Sequence, residues 1–340
     1  MHMADALISP TVGGAMLAVS ATVAAYSMKK INLERDEQKI PLMGVMGAFI
    51  FAAQMVNFSI PATGSSGHLG GGILLASLLG PYGGFLTMAS VLLIQSLFFA
   101  DGGLLAYGCN VFNLGFFTCF IAYPLLFRPI IQGKITAGRI TAASLLAAVI
   151  GLQLGSLAVV MQTVLSGKTE LSFATFLLLM QPIHLAIGIV EGLVTGAVIT
   201  FLWNARPELL GASSYRAGTL SLRKVLVIVL AAALVTAGGL SWFASSDPDG
   251  LEWSIEKTAG TAELDVPEGI HSALVALQSK IAIFPDYDFK KEEGQTSSDS
   301  HGSGTSVAGI IGGFMTLVLA AFIGWGSGML KKNKGKIQGL

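Results

Sequence analysis

The chain has 340 residues, equal numbers of acidic and basic side chains, 53% hydrophobic residues and only 12% charged residues. Soluble domains carry about 25% charged residues, so this composition excludes an ordinary soluble domain. Together with a mean hydropathy of +0.70, it predicts several membrane spans. Backbone groups in lipid must be hydrogen-bonded within the protein, so the spans are expected to be helices and the fold an all-α polytopic membrane protein.

Apolar segments of membrane-spanning length follow one another along the chain. The first seven predict a helical bundle, in which the third segment is short and is read as a partial or tilted helix. The last two predict a separate two-span unit. The predicted spans are 11–28, 41–58, 69–80, 82–100, 107–127, 139–165, 171–203, 222–243 and 306–330.

Basic residues are concentrated in alternate connections between these spans, at 29–39, 128–139, 206–224 and 331–336. The positive-inside rule makes those connections cytoplasmic. The N-terminus and the 244–305 segment, which holds 12 of the 20 acidic residues, are then extracytoplasmic, and the C-terminus is cytoplasmic. The chain is predicted to be a multi-pass membrane protein.

The composition also divides the chain into units. Residues 1–204 form an apolar, glycine-rich domain with short loops, and 205–221 form a polar cytoplasmic linker. Residues 222–340 form the two-span unit with the extracytoplasmic loop 244–305. The N-terminal apolar run lacks a preceding basic region, so we expect it to be retained and not cleaved as a signal peptide.

The N-terminus itself offers a set of metal donors. The α-amine of Met1 and the amide nitrogen of His2 close one chelate ring on a metal, and that amide and the imidazole Nδ1 of His2 close a second. A fourth nitrogen in the same plane would complete the square-planar geometry that Ni(II) and Cu(II) favour. The sequence therefore predicts a nitrogen-ligated site for Ni(II) or Cu(II).

The fourth ligand is expected to be another extracytoplasmic histidine. His68 is better placed than His271 or His301, because the glycines around it let the backbone pack closely about a small ion. His2 could instead be a surface residue, and His68 a loop residue that caps a helix. The polar residues expected to support the ligands from behind are Asp5, Ser66, Gln95, Asn110 and Asn113.

Two further features lie within the spans. His184 and Glu191 fall on one face of a helix and are read as a structural polar contact in preference to metal ligands. Small residues recur on the first span, where they either pack within the bundle or contact another membrane subunit. These small residues are Gly14, Ala18, Ala21 and Ala25.

Enzyme motifs are missing from the sequence. The SGKT at 166–169 lacks the first glycine of a phosphate-binding loop, because Gln162 occupies that position. There is no HExxH zinc-protease motif. No organic cofactor and no nucleic-acid partner are expected, and ATP hydrolysis is not predicted for this chain.

Several sequence blocks resemble a known family. MHMADALISP at 1–10, HLGGGILLASLLGPYGGFLTMASVLLIQSLFFADGGLLAYGCNVFNLG at 68–115 and HLAIGIVEGLVTG at 184–196 are similar to the CbiM/NikM substrate-binding (S) components of energy-coupling factor transporters. PDGLEWS at 248–254 is similar to the PDGLE signature of the CbiN/NikN accessory subunits. The resemblance implies an S component fused to its accessory unit.

The resemblance implies the same ligands as the chelate argument, namely Met1, His2 and His68. It also implies a bacterial or archaeal cell membrane and either Ni(II) or Co(II) as the transported metal, of which the planar nitrogen set favours Ni(II). The partners that it implies are a membrane coupling (T) subunit and two cytoplasmic ATPase subunits. Members commonly continue Met-His-Ile-Pro-Asp-Gly, whereas this chain keeps Asp5 and has alanine at 4 and 6. The alternatives are a self-sufficient metal transporter or channel, and a membrane enzyme or sensor whose receptor is the 244–305 loop.

Overall fold

The computed structural model describes residues 2–31, 39–167, 171–210, 219–261, 264, 267–290 and 301–337, the last with side chains for 303–328. The chain is mainly helical, with one short antiparallel hairpin. The helices are α1 Pro10–Lys30, α2 Lys39–Gln54, α3 Gly72–Phe98, α4 Tyr107–Ile131, α5 Ala137–Leu165, α6 Phe173–Ala205, α7 Leu222–Gly238, α8 Gly250–Ala259, α9 Ile270–Ile281 and α10 His301–Ile337. The strands are β1 Phe58–Ile60 and β2 Ser65–Gly67.

Within the described residues, six helices are long and apolar enough to cross a membrane. They are α1, α3, α4, α5, α6 and the Ser303–Gly328 part of α10. The apolar helices α2 and α7 have 16 and 17 residues. The predicted all-α membrane protein is therefore confirmed as a fold class.

The predicted span 41–58 is wrong at its C-terminal end. Helix α2 ends at Gln54, because the chain turns there into the hairpin and Phe58 pairs with Gly67. The predicted loop 244–305 is also more ordered than expected, since it contains α8 and α9. Of the predicted linker, residues 211–218 lie outside the described residues.

Helix α3 consists of two halves that fold against each other. Gly80 has a positive φ of 76° and interrupts the helix just before Pro81. A Cβ added to Gly84 would lie 2.8 Å from the backbone nitrogen of Ala76, although residues eight apart in a straight helix are separated by about 12 Å. The predicted segments 69–80 and 82–100 correspond to these two halves.

Local signals explain where several helices begin. The Ser9 side chain accepts a hydrogen bond from the Val12 amide, and Pro10 occupies the first helical position of α1. Proline is well tolerated there, because the N–H at that position has no partner within the helix. Thr136 and Ser221 cap α5 and α7 in the same way. Such caps stabilise a helix by about 1 kcal/mol each.

The two predicted units pack side by side. Helix α2 of the first unit contacts α7 and α10 of the second, while α5 packs against α6 and α4. Residues 239–261 and 267–290, between α7 and α10, contact the hairpin region and the N-terminal residues at one end of the bundle. We call this the hairpin end.

Candidate metal site

The hairpin that precedes His68 is extended by the PDGLE segment of the second unit. The Ser66 amide donates to the Pro248 carbonyl at 2.8 Å, and its hydroxyl donates to the Asp247 carbonyl at 2.8 Å. Asp249 then caps α8 and forms a capping box with Glu252. Ser66, predicted to support the ligands, therefore connects the His68 hairpin to the second unit.

Gly250 of the PDGLE segment lies against α6. A Cβ at this position would be 2.5 Å from Cγ2 of Ile183 and 3.4 Å from Cε1 of His184. The first distance is too short for a real contact, so a larger side chain would force either the Ile183 side chain or α8 to shift. The glycine of this motif is explained by close packing on α6.

The loop that follows His68 is fixed by a buried carboxylate. Glu191 of α6 accepts hydrogen bonds from the Gly70 amide at 2.7 Å and from the Gly71 amide at 3.0 Å, and it is fully buried. Both carboxylate oxygens therefore orient the backbone between His68 and α3. His184, predicted to form a polar contact with Glu191, donates its Nδ1–H to the Met180 carbonyl at 2.8 Å instead.

The predicted residue Gln95 acts on the same loop through Gln54. The Gln95 amide donates to Gln54 Oε1 at 2.8 Å, and Gln54 donates to the Gly70 carbonyl at 2.8 Å. Gln54 was not predicted, and its only sequence signal is a polar residue at the end of an apolar helix. Buried amides of this kind fix one loop conformation when all their partners are present.

The residues after His2 are held by α4 and the loop before it. Asn110 accepts from the Met3 amide at 2.8 Å and donates to the Met3 carbonyl at 3.2 Å. Asp5 accepts from the Ala106 amide at 3.0 Å. Asn113 exchanges two hydrogen bonds with Gln162, and its amide also lies 3.6 Å from the Met3 sulfur.

The two histidines predicted as ligands lie together at the hairpin end. The His2 and His68 rings are stacked, with centroids 4.9 Å apart and planes inclined by 20°. His2 Nδ1 lies 2.7 Å from Asp101 Oδ1. A metal bonds to an imidazole nitrogen in the plane of the ring, so one ion can bond to both rings only if one of them turns. Met1 lies outside the described residues.

The surroundings of His68 favour the neutral form of its imidazole. Burial, with neighbouring positive charge from His2, lowers the pKa of His68 to about 3, so its imidazole is neutral at physiological pH. Its Nδ1 lies 3.2 Å from the Leu69 carbonyl oxygen, to which it can donate its N–H. Burial opposes ionisation of Asp101. The charge of His2, together with hydrogen bonds from His2 and Tyr287, outweighs this effect and lowers the pKa of Asp101 to about 2.

Asp101 and Tyr287 were missed by the sequence analysis. The Tyr287 hydroxyl of the second unit donates to Asp101 Oδ2, so the carboxylate that contacts His2 is itself held by the second unit. Tyr287 is brought there because Phe284 and Asp286 donate backbone hydrogen bonds to the end of α3. An acidic residue between two apolar segments was the only sequence signal for Asp101.

Helix α9 of the second unit contacts the same two segments. His271 donates its Nε2–H to the Ile8 carbonyl at 2.7 Å, beside the N-terminal residues. Gln278 donates to the carbonyls of Ser96 and Gly102, both at 2.8 Å, on either side of Asp101. His271 thus has a structural partner in this fold.

Two cavities adjoin His68. The larger, of about 520 Å³, lies between the two units and is also lined by His2, Asp101 and Asp249. The smaller, of about 10 Å³, lies between His68, His184 and Asp249 and is large enough for one water molecule. Within the described ranges, no group of three or more His, Cys, Asp or Glu side chains is arranged to hold a metal ion.

Comparison with protein families gives two matches, which lie on either side of residues 211–218. Residues 2–209 match the CbiM family, the cobalt uptake substrate-specific transmembrane region. Residues 223–328 match the PDGLE domain. The first match covers more than half of the chain.

Curated relatives support the same assignment. A protein of Archaeoglobus fulgidus named as a fused nickel transport protein, NikMN, is 31% identical over 94% of this chain and 96% of its own length. A Rhodobacter capsulatus protein named fused nickel transport protein NikMN is 35% identical over 34% of this chain and 33% of its own length. A Sorangium cellulosum cobalt transport protein, CbiM, is 29% identical over 56% of this chain and 86% of its own length.

Solved structures agree with the fold. A crystal structure of a transition metal transporter is 29% identical, covers 64% of this chain and 99% of its own, and has a TM-score of 0.54. A truncated form, also 29% identical, covers 59% of this chain and 98% of its own, with a TM-score of 0.52. The chain is therefore a membrane-embedded nickel/cobalt transport component, not an enzyme, and it belongs to the CbiM family, as a CbiM/NikM region fused to a PDGLE accessory unit.

Proposed function

We propose that the chain is the substrate-binding component of an energy-coupling factor importer and that it captures Ni(II) outside the cell. The observation that carries this proposal is the close approach of His2 and His68, whose ring centroids are 4.9 Å apart. The two residues lie far apart in sequence, and both side chains are at least nine-tenths buried. Two imidazoles brought together in this way fit recognition of a transition metal.

The proposed ligands are the α-amine of Met1, the amide nitrogen and Nδ1 of His2, and Nε2 of His68. The two described side chains do not complete a site alone, which is why the backbone nitrogens are needed. The planar set of four nitrogens favours Ni(II), and Co(II) is the alternative substrate. Because His2 Nδ1 contacts Asp101, loading would turn the His2 ring away from that carboxylate.

The residues behind the ligands would hold the segment that carries His2 and the segment that carries His68 in fixed positions. Asn110 and Asp5 hold the backbone after His2, and Glu191 holds the backbone after His68. Outer partners of this kind commonly account for a 10- to 100-fold difference in metal affinity. No organic cofactor takes part in this scheme.

The orientation and the division of labour follow from charge and composition. By the positive-inside rule, the hairpin end would lie outside the cell and the C-terminus in the cytoplasm. Residues 1–204 would bind the metal, 205–221 would form a cytoplasmic linker, and 222–340 would be the accessory unit with loop 244–305. A membrane coupling (T) subunit and two ATPase subunits would drive release.

The T subunit is proposed to contact α1. Its small residues Gly14, Ala18, Ala21 and Ala25 are all exposed, so this face has no partner among the described residues, and small residues let helices approach closely. The double substitution Ala21→Leu/Ala25→Leu should reduce co-purification with the T subunit, whereas Ala142→Leu on the exposed face of α5 should not. Equal recovery of the T subunit with both would contradict this contact.

Metal titration tests the binding site. His2→Ala and His68→Ala should each abolish tight Ni(II) binding by the purified protein, measured by calorimetry and by the visible band of planar Ni(II). His271→Gln is the control, because it removes an imidazole from the same end without touching a proposed ligand. Unchanged Ni(II) affinity in His68→Ala would reject the proposed site.

A further inference from the structure

The 520 Å³ cavity at the hairpin end is much larger than a bare metal ion. A water molecule occupies about 30 Å³ in the liquid, so a dication with six waters needs about 180 Å³. The cavity can therefore admit a hydrated ion before it loses its waters. His2 and His68 both lie in its wall, which connects it directly to the proposed ligands.

The wall of this cavity is acidic. Five carboxylates line it, and no lysine or arginine is among the described residues of its wall. Two come from the first unit and three from the second, so the second unit supplies most of the acidic groups. The five are Asp5, Asp101, Asp249, Glu252 and Asp286.

Buried polar atoms without partners lie in the same wall. Asp5 is only 3% exposed, and its Oδ2 has no hydrogen-bond partner among the described residues. His2 Nε2 is likewise buried and unpaired within that part of the chain. Buried polar atoms normally have a partner, and these two belong to residues that line the cavity.

We propose that this cavity is an anionic entrance that admits the hydrated metal dication and repels anionic metal chelates; the proposal rests on the proposed function. A cleft lined by charges of one sign focuses the field and raises the association rate of the opposite charge by about 10- to 1,000-fold. The role of the accessory unit would then be to attract the metal dication to the entrance, since three of the five carboxylates belong to it.

Several of these carboxylates also have structural roles. Asp249 and Glu252 form the capping box of α8, and Asp101 is bonded to His2 and Tyr287. Asp286 is the most informative position, because its side chain lines the cavity and takes part in neither the capping box nor the contacts of Asp101. Its φ is 51°, a conformation that asparagine tolerates well, so Asp286→Asn removes charge with little change of backbone.

The test measures association and dissociation rates of Ni(II) by stopped-flow with the full-length protein. The variant is Asp286→Asn/Glu252→Gln, in which glutamine can still complete the capping box. The control is Glu256→Gln, which removes one carboxylate from α8 outside the cavity lining. Nickel is supplied as the chloride and as the anionic citrate complex, each at 20 mM and at 500 mM salt.

For nickel chloride at low salt, the double variant should associate about 3- to 10-fold more slowly than wild type, with an unchanged dissociation rate. The difference should vanish at high salt. For nickel citrate the variant should be as fast as wild type or faster, and Glu256→Gln should match wild type throughout. If wild type binds Ni(II) tightly at equilibrium but the association rate depends neither on salt nor on the double substitution, the anionic entrance is overturned and the proposed function is not. If wild type itself shows no tight Ni(II) binding, the proposed function is overturned.

Discussion

Glu191→Gln tests how strongly the buried carboxylate positions the His68 loop. Glu191 accepts two hydrogen bonds from backbone amides, at 2.7 and 3.0 Å, and a hydrogen bond to a charged group contributes about 1.5–3 kcal/mol. Glutamine keeps one acceptor oxygen and presents an N–H to the other amide, so about one such bond is lost. We therefore expect a loss of about 2 kcal/mol, equivalent to roughly 30-fold weaker Ni(II) binding.

The assay is Ni(II) titration by calorimetry, together with thermal unfolding of the same samples. Glu208→Gln is the matched control, because Glu208 is an exposed residue whose ion pair with Arg206 lies away from the hairpin end. The control should keep wild-type affinity. An affinity of Glu191→Gln within threefold of wild type would refute the positioning of His68 by this carboxylate.

Three further predictions follow from single contacts. His68 has its pKa lowered to about 3, so on acidification the unfolded chain takes up a proton near pH 6.5 before the folded protein does. Unfolding free energy should therefore fall by about 2 kcal/mol from pH 6.5 to pH 5, and His68→Gln should flatten this change in thermal unfolding. Gly250→Ala places a Cβ 2.5 Å from Cγ2 of Ile183 on α6 and should destabilise the protein by about 1–3 kcal/mol. The control Gly138→Ala, whose Cβ would have no atom within 4 Å, should be close to neutral. Equal melting temperatures of the two variants would contradict this packing. Asn110→Ala removes both hydrogen bonds to Met3 and should weaken Ni(II) binding about 10- to 100-fold, and unchanged titration curves would count against that role.

The membrane fold was predictable because length and apolar composition act locally. Spans such as 139–165 and 171–203 correspond closely to α5 and α6, since no interaction elsewhere is needed to make them helical in lipid. The end of α2 was not predictable in this way. It depends on backbone pairing between β1, β2 and the PDGLE segment, and backbone pairing leaves no pattern in side-chain hydropathy.

The candidate site was predictable only in part. His2 and His68 stood out because their chemistry is distinctive and few histidines are available. Asp101, Tyr287 and Gln54 did not, because each becomes relevant only through contacts made after folding. Asp101 meets His2 and Tyr287 across three separate segments, and the sequence contains no local feature that connects them.

The most direct test of nickel capture compares the protein beginning at Met1 with a version carrying extra residues before Met1. Both would be titrated with Ni(II), Co(II), Cu(II) and Zn(II), and the visible spectrum followed for the band of planar Ni(II). The account predicts that the protein beginning at Met1 binds Ni(II) tightly and shows this band. The extended protein is expected to lose both, because the nitrogen of Met1 is then a peptide nitrogen and no longer a free amine. Equal binding by the two proteins would contradict a site built on the N-terminal nitrogens.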